Sequence, residues 1–441
     1  MTRKIVFLAL LTATLLGDAG IAPCAAQRIS LSVDSLFSLI DDRSRTIRLK
    51  ALNADEATAG TGEARSSRLP QLSASLSVGY LGNGYLTDRD FSDGMAVHNP
   101  HSANNFALEA MQLIYSGGAV SAGIRMADLN ARMARLDLEE SRQQVRFLLL
   151  GWLIDLQCLH NRRRVIDENI ALARQVIARM QARHDEGVAL QNDITRYELQ
   201  LQDLMLQREK TDEAVRTTDY KLANALGYPA GTTEFVPQLP AADGALNIKA
   251  EEGWQRDACT SGIALQKAEL GISMSETSRR LVAAERRPKL SLFAYGRFDS
   301  PIVIEVPVLD KNFMYWGFGA NISFNIASLY TSNHRMRRAR IAERESREAY
   351  GVALENTQDG VKAAYESWRT ATAELRTQEK SLELARQNYA IVNDRMAEGM
   401  ALVTDMVDAA NVRLAAEIGL ENARTRLLFC YYRLKYTTNT L

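Results

Sequence analysis

One passage of eleven residues occurs twice in this chain, and its recurrence limits the folds open to it. Arg183-His184-Asp185-Glu186-Gly187-Val188-Ala189-Leu190-Gln191-Asn192-Asp193 returns as Arg395-Met396-Ala397-Glu398-Gly399-Met400-Ala401-Leu402-Val403-Thr404-Asp405, with six of the eleven positions identical. The flanking segments recur in the same order. The chain is therefore a duplicated module rather than one compact domain, and the repeat unit decides the fold. The two copies span residues 27–227 and 250–441. Between them, residues 228–249 hold Pro229, Pro237 and Pro240 and read as an irregular connector.

The first 26 residues read as an export signal. Arg3 and Lys4 precede an apolar run from Ile5 to Leu16, too short to span a bilayer, and Ala22-Pro23-Cys24-Ala25-Ala26 offers small residues for cleavage after Ala26. Cys24 raises lipidation as an alternative, which Pro23 immediately before it fits poorly. No later segment is apolar enough for a transmembrane helix, so a membrane location would require a β-barrel. The 53 basic and 53 acidic residues cancel, which gives no reason to expect nucleic acid or an anionic surface as a partner. Cys158, Cys259 and Cys430 are far apart and lie in helical patterns, which reads as small apolar packing and not as a disulfide or metal framework.

Each copy opens with a helical stretch, at about residues 32–67 and 250–285, that stops at a basic-proline pair. These pairs are Arg68-Leu69-Pro70-Gln71-Leu72 and Arg286-Arg287-Pro288-Lys289-Leu290. Proline lacks an amide donor and pushes its predecessor into extended geometry. Strands follow. Leu72, Ala74, Leu76, Val78 and Tyr80 alternate with Ser73, Ser75, Ser77 and Gly79, and the expected partner covers 104–115, with Phe106, Leu108 and Ala110 on one face. In the second copy Leu290, Leu292, Ala294 and Phe298 share a face. From Trp316 to Ile326, large apolar side chains alternate with Gly317, Gly319, Asn321, Ser323 and Asn325. About ten residues, apolar on one side and small or polar on the other, fit a tilted transmembrane strand, although any one of them would also fit a half-buried strand of a soluble sheet.

Two long proline-free helical stretches come next, about 119–185 and 332–397. At ~1.5 Å per residue each makes a rod of about 100 Å. Near-heptad stripes run along both: Leu149, Leu156, Ile166, Ala173 and Met180 in the first, Trp368, Leu375, Leu382, Tyr389 and Met396 in the second. This is coiled-coil packing. The repeated glycine ends each rod by permitting a left-handed turn, and a return helix (194–226, then 406–436) packs back antiparallel. Gly187 and Gly399 thus mark two hairpin tips. Four long strands cannot close a barrel, which needs about eight, so strands in a membrane must be pooled from several copies.

Helix, proline-capped strand pair, long helix, glycine-tipped hairpin and return helix, all doubled, resemble the TolC-type outer-membrane efflux channel family, the outer membrane factor of tripartite pumps. The resemblance covers about residues 31–436. It is carried by Arg68-Leu69-Pro70-Gln71-Leu72, Leu113-Ile114-Tyr115-Ser116-Gly117-Gly118, Leu226-Gly227 and the two Glu-Gly-x-Ala-Leu-x-x-Asp tips. It implies a mostly α fold with membrane β-strands. Long coiled-coil hairpins would form a periplasmic α-barrel, and four β-strands per chain would contribute to a shared trimeric β-barrel. It further implies a homotrimer in outer-membrane lipid, acting as a passive exit duct of an efflux pump or type I secretion system. A periplasmic adaptor and an inner-membrane pump of unknown type would be the partners, with no catalytic residue, cofactor or metal. Glu186, Gly187, Val188, Ala189 and Leu190, with Glu398, Gly399, Met400, Ala401 and Leu402, would make the tip turns and dock the adaptor. Asp193, Asp405 and Asp408 match the family's acidic positions near the periplasmic entrance, where a ring of acids would favour cations. Equally, an acid there caps a helix N-terminus, and the two roles are compatible. The family's best-known members place a Tyr three residues before the second glycine and an Arg two after it. Here Met396 and Ala401 stand there, so closure would rest on packing and acid rings and not on an Arg–Asp lock.

Other sites find little support. His98-Asn99-Pro100-His101 lacks a third metal ligand, and Gly79, Gly82 and Gly84 precede no helix that would hold a phosphate. Acids on the rods read as solvated faces or i,i+4 partners. The alternative class is a periplasmic coiled-coil adaptor or scaffold. An adaptor would show one hairpin between β-rich domains, and a scaffold would not need the alternation from Trp316 onward.

Overall fold

A computed structural model describes residues 27–187, 190–229, 231–240, 248–305 and 308–441. The expected signal segment 1–26, with Cys24, lies outside them. The first copy contains β1 (Gln27–Ser32), α1 (Val33–Arg43), α2 (Arg45–Ser66), β2 (Gln71–Tyr80), β3 (Gly84–Leu86), β4 (Met95–Val97), β5 (Ser102–Tyr115), α3 (Ala119–Asp185) and α4 (Gln191–Leu226). After β6 (Thr233–Gln238), the second copy contains α5 (Glu251–Ser261), α6 (Ile263–Ala284), β7 (Lys289–Ser300), β8 (Phe313–Ser323), α7 (Ser328–Thr331), α8 (Asn333–Ala397) and α9 (Val403–Thr437).

The four long strands form one antiparallel sheet in the order β2-β5-β7-β8. β8 stops at Ser323, short of the expected Ile326, because the chain turns there and the Ser328 amide donates to the Asn325 carbonyl at 3.0 Å. β3 and β4 form a small hairpin inside the first loop.

The opening helical stretches are each bent once, at equivalent places. Ser44 (φ −65°, ψ 119°) separates α1 from α2, and Gly262 (φ −60°, ψ 116°) separates α5 from α6. The bends leave the helical ladder nearly intact: Ser44 and Gly262 still donate to Ile40 and Ala258 at 3.0 and 2.9 Å, and still accept from Arg48 and Gln266. A kink that sacrifices so few hydrogen bonds needs no proline, and the sequence shows none there.

α3 and α8 run 67 and 65 residues without interruption. Their heptad stripes are the buried seams, with Leu149, Leu156, Ile166, Ala173 and Met180 buried on α3 and Leu375, Leu382 and Tyr389 on α8. In the half nearer the sheet, α3 packs between α2 and α6, and α8 packs against α6. In the half nearer the tips, α3 packs between α4 and α9, and α8 against α9. The chain is four helices wide at both levels.

Two rod acids are not solvated, although one of them does make the expected i,i+4 pair. Glu417 and Glu421 on α9 are buried against α3, where Asn169 Nδ2 donates to Glu417 at 3.0 Å and Asn161 Nδ2 donates to Glu421 at 2.7 Å. Arg413 and Arg424, one turn away on α9, neutralise them at 3.1 and 3.0 Å. A buried carboxylate needs such partners, and two Asn–Glu pairs fix the register of α3 on α9. Cys430 is buried and Cys158 half-buried, as expected of apolar packing, but Cys259 is exposed on α5; all three are free thiols.

The connector also departs from expectation. Within it Thr233–Gln238 forms β6, pairing in parallel with β1 from Gln27↔Thr233 to Ser32↔Gln238. This two-stranded patch lies across the middle of the rods. Leu31 and Phe235 are fully buried there with Leu36, Ile40, Leu150, Leu153 and Leu226, the largest apolar cluster among the described residues. Irregular backbone at that depth would leave amides without partners, and pairing with β1 satisfies them. Asp219 of α4 clamps the patch by accepting the Phe235 amide at 3.1 Å.

Burial pushes the Asp219 carboxyl up to about 6, more than the Phe235 amide pulls it down. A folded pKa above the unfolded one gives stability that is fully present below about pH 4 and lost as pH rises through about 6. Asp219→Asn keeps the acceptor and removes the titration. Thermal melting in detergent should show wild type losing on the order of 2–3 kcal/mol more than Asp219→Asn between pH 4 and 7.

Candidate functional site

The two hairpin tips are built from the same backbone device. Gly187 and Gly399 adopt φ of 75° and 76°, the left-handed region that a side chain disfavours. At the second tip the Gly399 amide donates to Met396 at 3.1 Å and the Met400 amide to Arg395 at 2.8 Å. This paired closure satisfies the last carbonyls of α8. At the first tip the Gly187 amide donates to His184 at 2.8 Å. Leu190 and Leu402 then take extended conformations as N-caps, which starts the return helices at Gln191 and Val403, three residues earlier than expected.

The fold brings the two tips together. Arg183 Nη1 donates across to the Met396 carbonyl at 3.2 Å. Behind them Val176, Ile177, Met180, Ile194, Tyr197, Tyr389, Met406 and Ala409 form one apolar cluster, with Met396 packed against it. Burial pushes the Tyr197 and Tyr389 hydroxyls up, as expected of phenols enclosed in such a cluster.

Glu186, Gly187, Glu398 and Gly399 are exposed at the ends of the tips, and Ala401 is half-buried. Leu190, Met400 and Leu402 are about seven-tenths exposed, three large apolar side chains with nothing packed over them in the single chain. Val188 and Ala189 lie outside the described residues. Among the acids, Asp405 Oδ2 accepts the Leu402 amide at 3.2 Å, so it caps α9. Asp193 occupies the matching first turn of α4, and Asp408 is exposed one turn further along α9.

The sheet presents a second surface. Its register aligns Ala74, Leu108, Gly296 and Trp316 on one face and Ser75, Ala107, Arg297 and Tyr315 on the other. The first face is apolar and open, with Trp316 77% and Phe318 78% exposed. Such a face toward water would be an aggregation surface, and toward lipid it is at home. On the second face Arg297 donates to Glu109 at 2.7 Å, and Tyr315 Oη donates to Asp299 at 3.0 Å. Phe293 and Tyr295 stack in nearly parallel planes and lie across Gly319 and Gly317. A Cβ on either glycine would come within 2.7 Å of the ring above it. These glycines let the rings lie flat on the wall.

The inner-face residues Glu109, Arg297 and Asp299 escaped the sequence reading. The period-two alternation that picked out Phe106, Leu108 and Phe298 also puts Glu109, Arg297 and Asp299 on the opposite face, so the signal was present. β7 carries Asp299 near its end, running through Ser300. His98 and His101 are edge-on to one another at 5.3 Å, and Tyr80 stacks on His101. Among the described residues no group of three metal-ligating side chains occurs, and no helix is long and apolar enough to cross a membrane.

A mixed molecule of this kind, with four membrane-type strands joined to doubled helical rods, defines an outer-membrane channel subunit. Residues 36–228 and 256–436 match the outer membrane efflux protein family, and the chain belongs to that family. No curated protein matches it in sequence. Solved structures share its fold. The outer-membrane channel OprN is 16% identical, with a TM-score of 0.78 over 93% of this chain and 90% of its own. CusC, whose structures describe transmembrane channel formation, is 14% identical with a TM-score of 0.78, over 92% and 91%. VceC from Vibrio cholerae is 13% identical with a TM-score of 0.75, over 92% and 95%. The chain is thus an outer-membrane protein with its sheet in the membrane and its rods forming a periplasmic tunnel.

An added Cβ at Gly399 would meet nothing within 4 Å, so Gly399→Ala should cost only the left-handed conformation, about 1–2 kcal/mol. Hydrogen exchange should quicken at residues 396–405 while the cluster behind the tips stays protected. Uniform loss of protection along α8 and α9 would contradict the local role.

Proposed function

We propose that three copies of this chain form the exit duct of a tripartite efflux pump or type I secretion system. The observation that carries this reading is the sheet with two open edges. β2 and β8 each have one unpaired side, yet the apolar face requires lipid around it. Each unpaired backbone group in hydrocarbon costs several kcal/mol. Pairing β8 of one copy with β2 of the next removes both edges, and three copies supply twelve strands. The same three copies supply twelve helices at each level of the tunnel, in keeping with a width of four helices per chain.

The duct does no chemistry of its own. An inner-membrane transporter supplies the drive, and a periplasmic adaptor joins it to the tips, where Leu190, Met400 and Leu402 offer apolar knobs together with Val188, Ala189 and Ala401. Gly187 and Gly399 make the turns, and Glu186 and Glu398 flank them. The two tips differ, with Gln191-Asn192 against Val403-Thr404 and an extra acid, Asp408, on the second. Repeated three times, they would present two kinds of docking groove. Asp193, Asp405 and Asp408 face the entrance in threefold rings. One oxygen of Asp405 holds the cap, which leaves the other for passing cations.

Two outcomes test the reading. Phe318→Arg places a charge on the lipid face at mid-strand and should cost about 2–4 kcal/mol per subunit. Fractionation should show it depleted from the outer membrane, and recovery of the wild-type chain as a soluble periplasmic monomer would sink the proposal. For the entrance, Asp193→Ala with Asp405→Ala should lower the cation-to-anion permeability ratio severalfold in single-channel recordings. An unchanged ratio would rule out the acid ring.

A further inference from the structure

At the end of the sheet far from the helices, the inner face is not a bare wall. It holds a cavity of about 320 Å³, in the range of small-molecule sites, lined by Ser77, Asn105, Asp299, Ile302, Val303 and Phe313. Odd-numbered positions of β2, β5 and β7 place Ser77, Asn105 and Asp299 in one row across the strands, with Phe313 completing it on β8. Just after β7, Ile302 and Val303 border this row, and the Ile302 amide donates to the Leu309 carbonyl at 2.9 Å. The cavity is therefore polar along the strands and apolar at its rim.

Its charge is unbalanced. Asp299 accepts hydrogen bonds from the Asn105 amide and from Tyr315 Oη, both neutral donors. The neighbouring cation, Arg297, is already matched by Glu109. Among the described residues no cation pairs with Asp299. Tyr315 and Phe313 stack beside it with ring centroids 4.9 Å apart. A fixed carboxylate next to aromatic faces is the arrangement that attracts a cation with an apolar body.

We infer that this cavity at the outer mouth of the barrel is a binding site for small organic cations. Asp299 takes the charge, and Phe313 the ring or alkyl body, with Ile302 and Val303 at the rim. The inference rests on the trimeric channel reading, in which three such cavities surround the exit. They would be the last contacts of cationic cargo before release.

The test uses the purified channel in planar bilayers at about 0.1 M salt, where screening still spans about 10 Å. Benzyltrimethylammonium added on the outer side should block current at lower concentration than when added on the tip side, and benzenesulfonate should not block. Asp299→Asn, which preserves shape and an acceptor, should raise the half-blocking concentration about tenfold, the value of one charge-assisted contact. Phe313→Ala should raise it about threefold. If either variant fails to assemble, Ile302→Lys, at the rim and outside the ladder, sets an ammonium against the cavity and should abolish block. Equal block by the anion, or block unchanged in the variants that conduct, would overturn the site. Absence of any channel from wild type would instead defeat the underlying channel reading.

Discussion

The two open edges of the four-stranded sheet govern the rest of this molecule. A membrane sheet has no water to satisfy its outer amides and carbonyls, so it must close, and four strands are too few to close on themselves. The chain therefore carries a structure that is incomplete alone. That incompleteness propagates downward. Each pair of strands is continuous with helices on both sides, so whatever closes the sheet also gathers the rods. The arrangement of α2, α3, α6 and α8 side by side, and then of α4, α3, α9 and α8, follows from four strands feeding helices into one layer.

Duplication supplies the strands in pairs, yet the two halves are not held alike. The first half is fastened at mid-height by β1 and β6, with Phe235 fully buried and Asp219 gripping its amide. That clamp joins β1 of the first copy to the connector, and among the described residues the second copy has no matching strand. Between the halves, buried Asn–Glu pairs on α3 and α9 set the register where apolar seams alone would allow a slip by one heptad. A polar pair inside a coiled seam costs stability relative to apolar packing and returns alignment. In a rod of about 100 Å, a register error at one end would misplace the tips at the other.

What could be read from the residues alone divides along the same physical line. Long-period signals were legible: the heptad stripes, the prolines before β2 and β7, and the glycines at 187 and 399 place the rods, strands and tips. Where local propensity is neutral the sequence was silent. The bend at Ser44 keeps its hydrogen bonds and so needs no breaker, and the bend at Gly262 is marked by nothing more than a single glycine. β6 forms because β1 is there to pair with it, and Thr233–Gln238 contains Pro237, which argues against a strand until a partner on its other side is known. Glu417 and Glu421 look solvated because their partners lie some 250 residues earlier. At the candidate sites, the tip turns and the capping role of Asp405 were readable from spacing. The inner face of the sheet was not, since Asp299 gains meaning only once register sets it beside Asn105 and Tyr315.

The same wall must be polar enough to wet and open enough to pass cargo, and these demands conflict where the strands carry aromatic side chains. Phe293 and Tyr295 face inward, where upright rings would narrow a barrel of modest size. Gly317 and Gly319 on the neighbouring strand resolve the conflict by removing the Cβ atoms that would lift them. The rings cover bare backbone, which strengthens a pair of glycines otherwise weak in a strand, and the bore keeps its width. On β2 the opposite solution holds: Ser73, Ser75, Ser77 and Gly79 are small themselves. Closing β8 against the β2 of a neighbouring copy then sets a flat aromatic strip beside a shallow serine strip, three times around. A passing molecule would meet alternating apolar and hydroxyl surfaces with no deep trap along the wall, and beyond the paired Arg297 and Glu109, at the level of Asp299, it would meet a carboxylate held only by neutral donors.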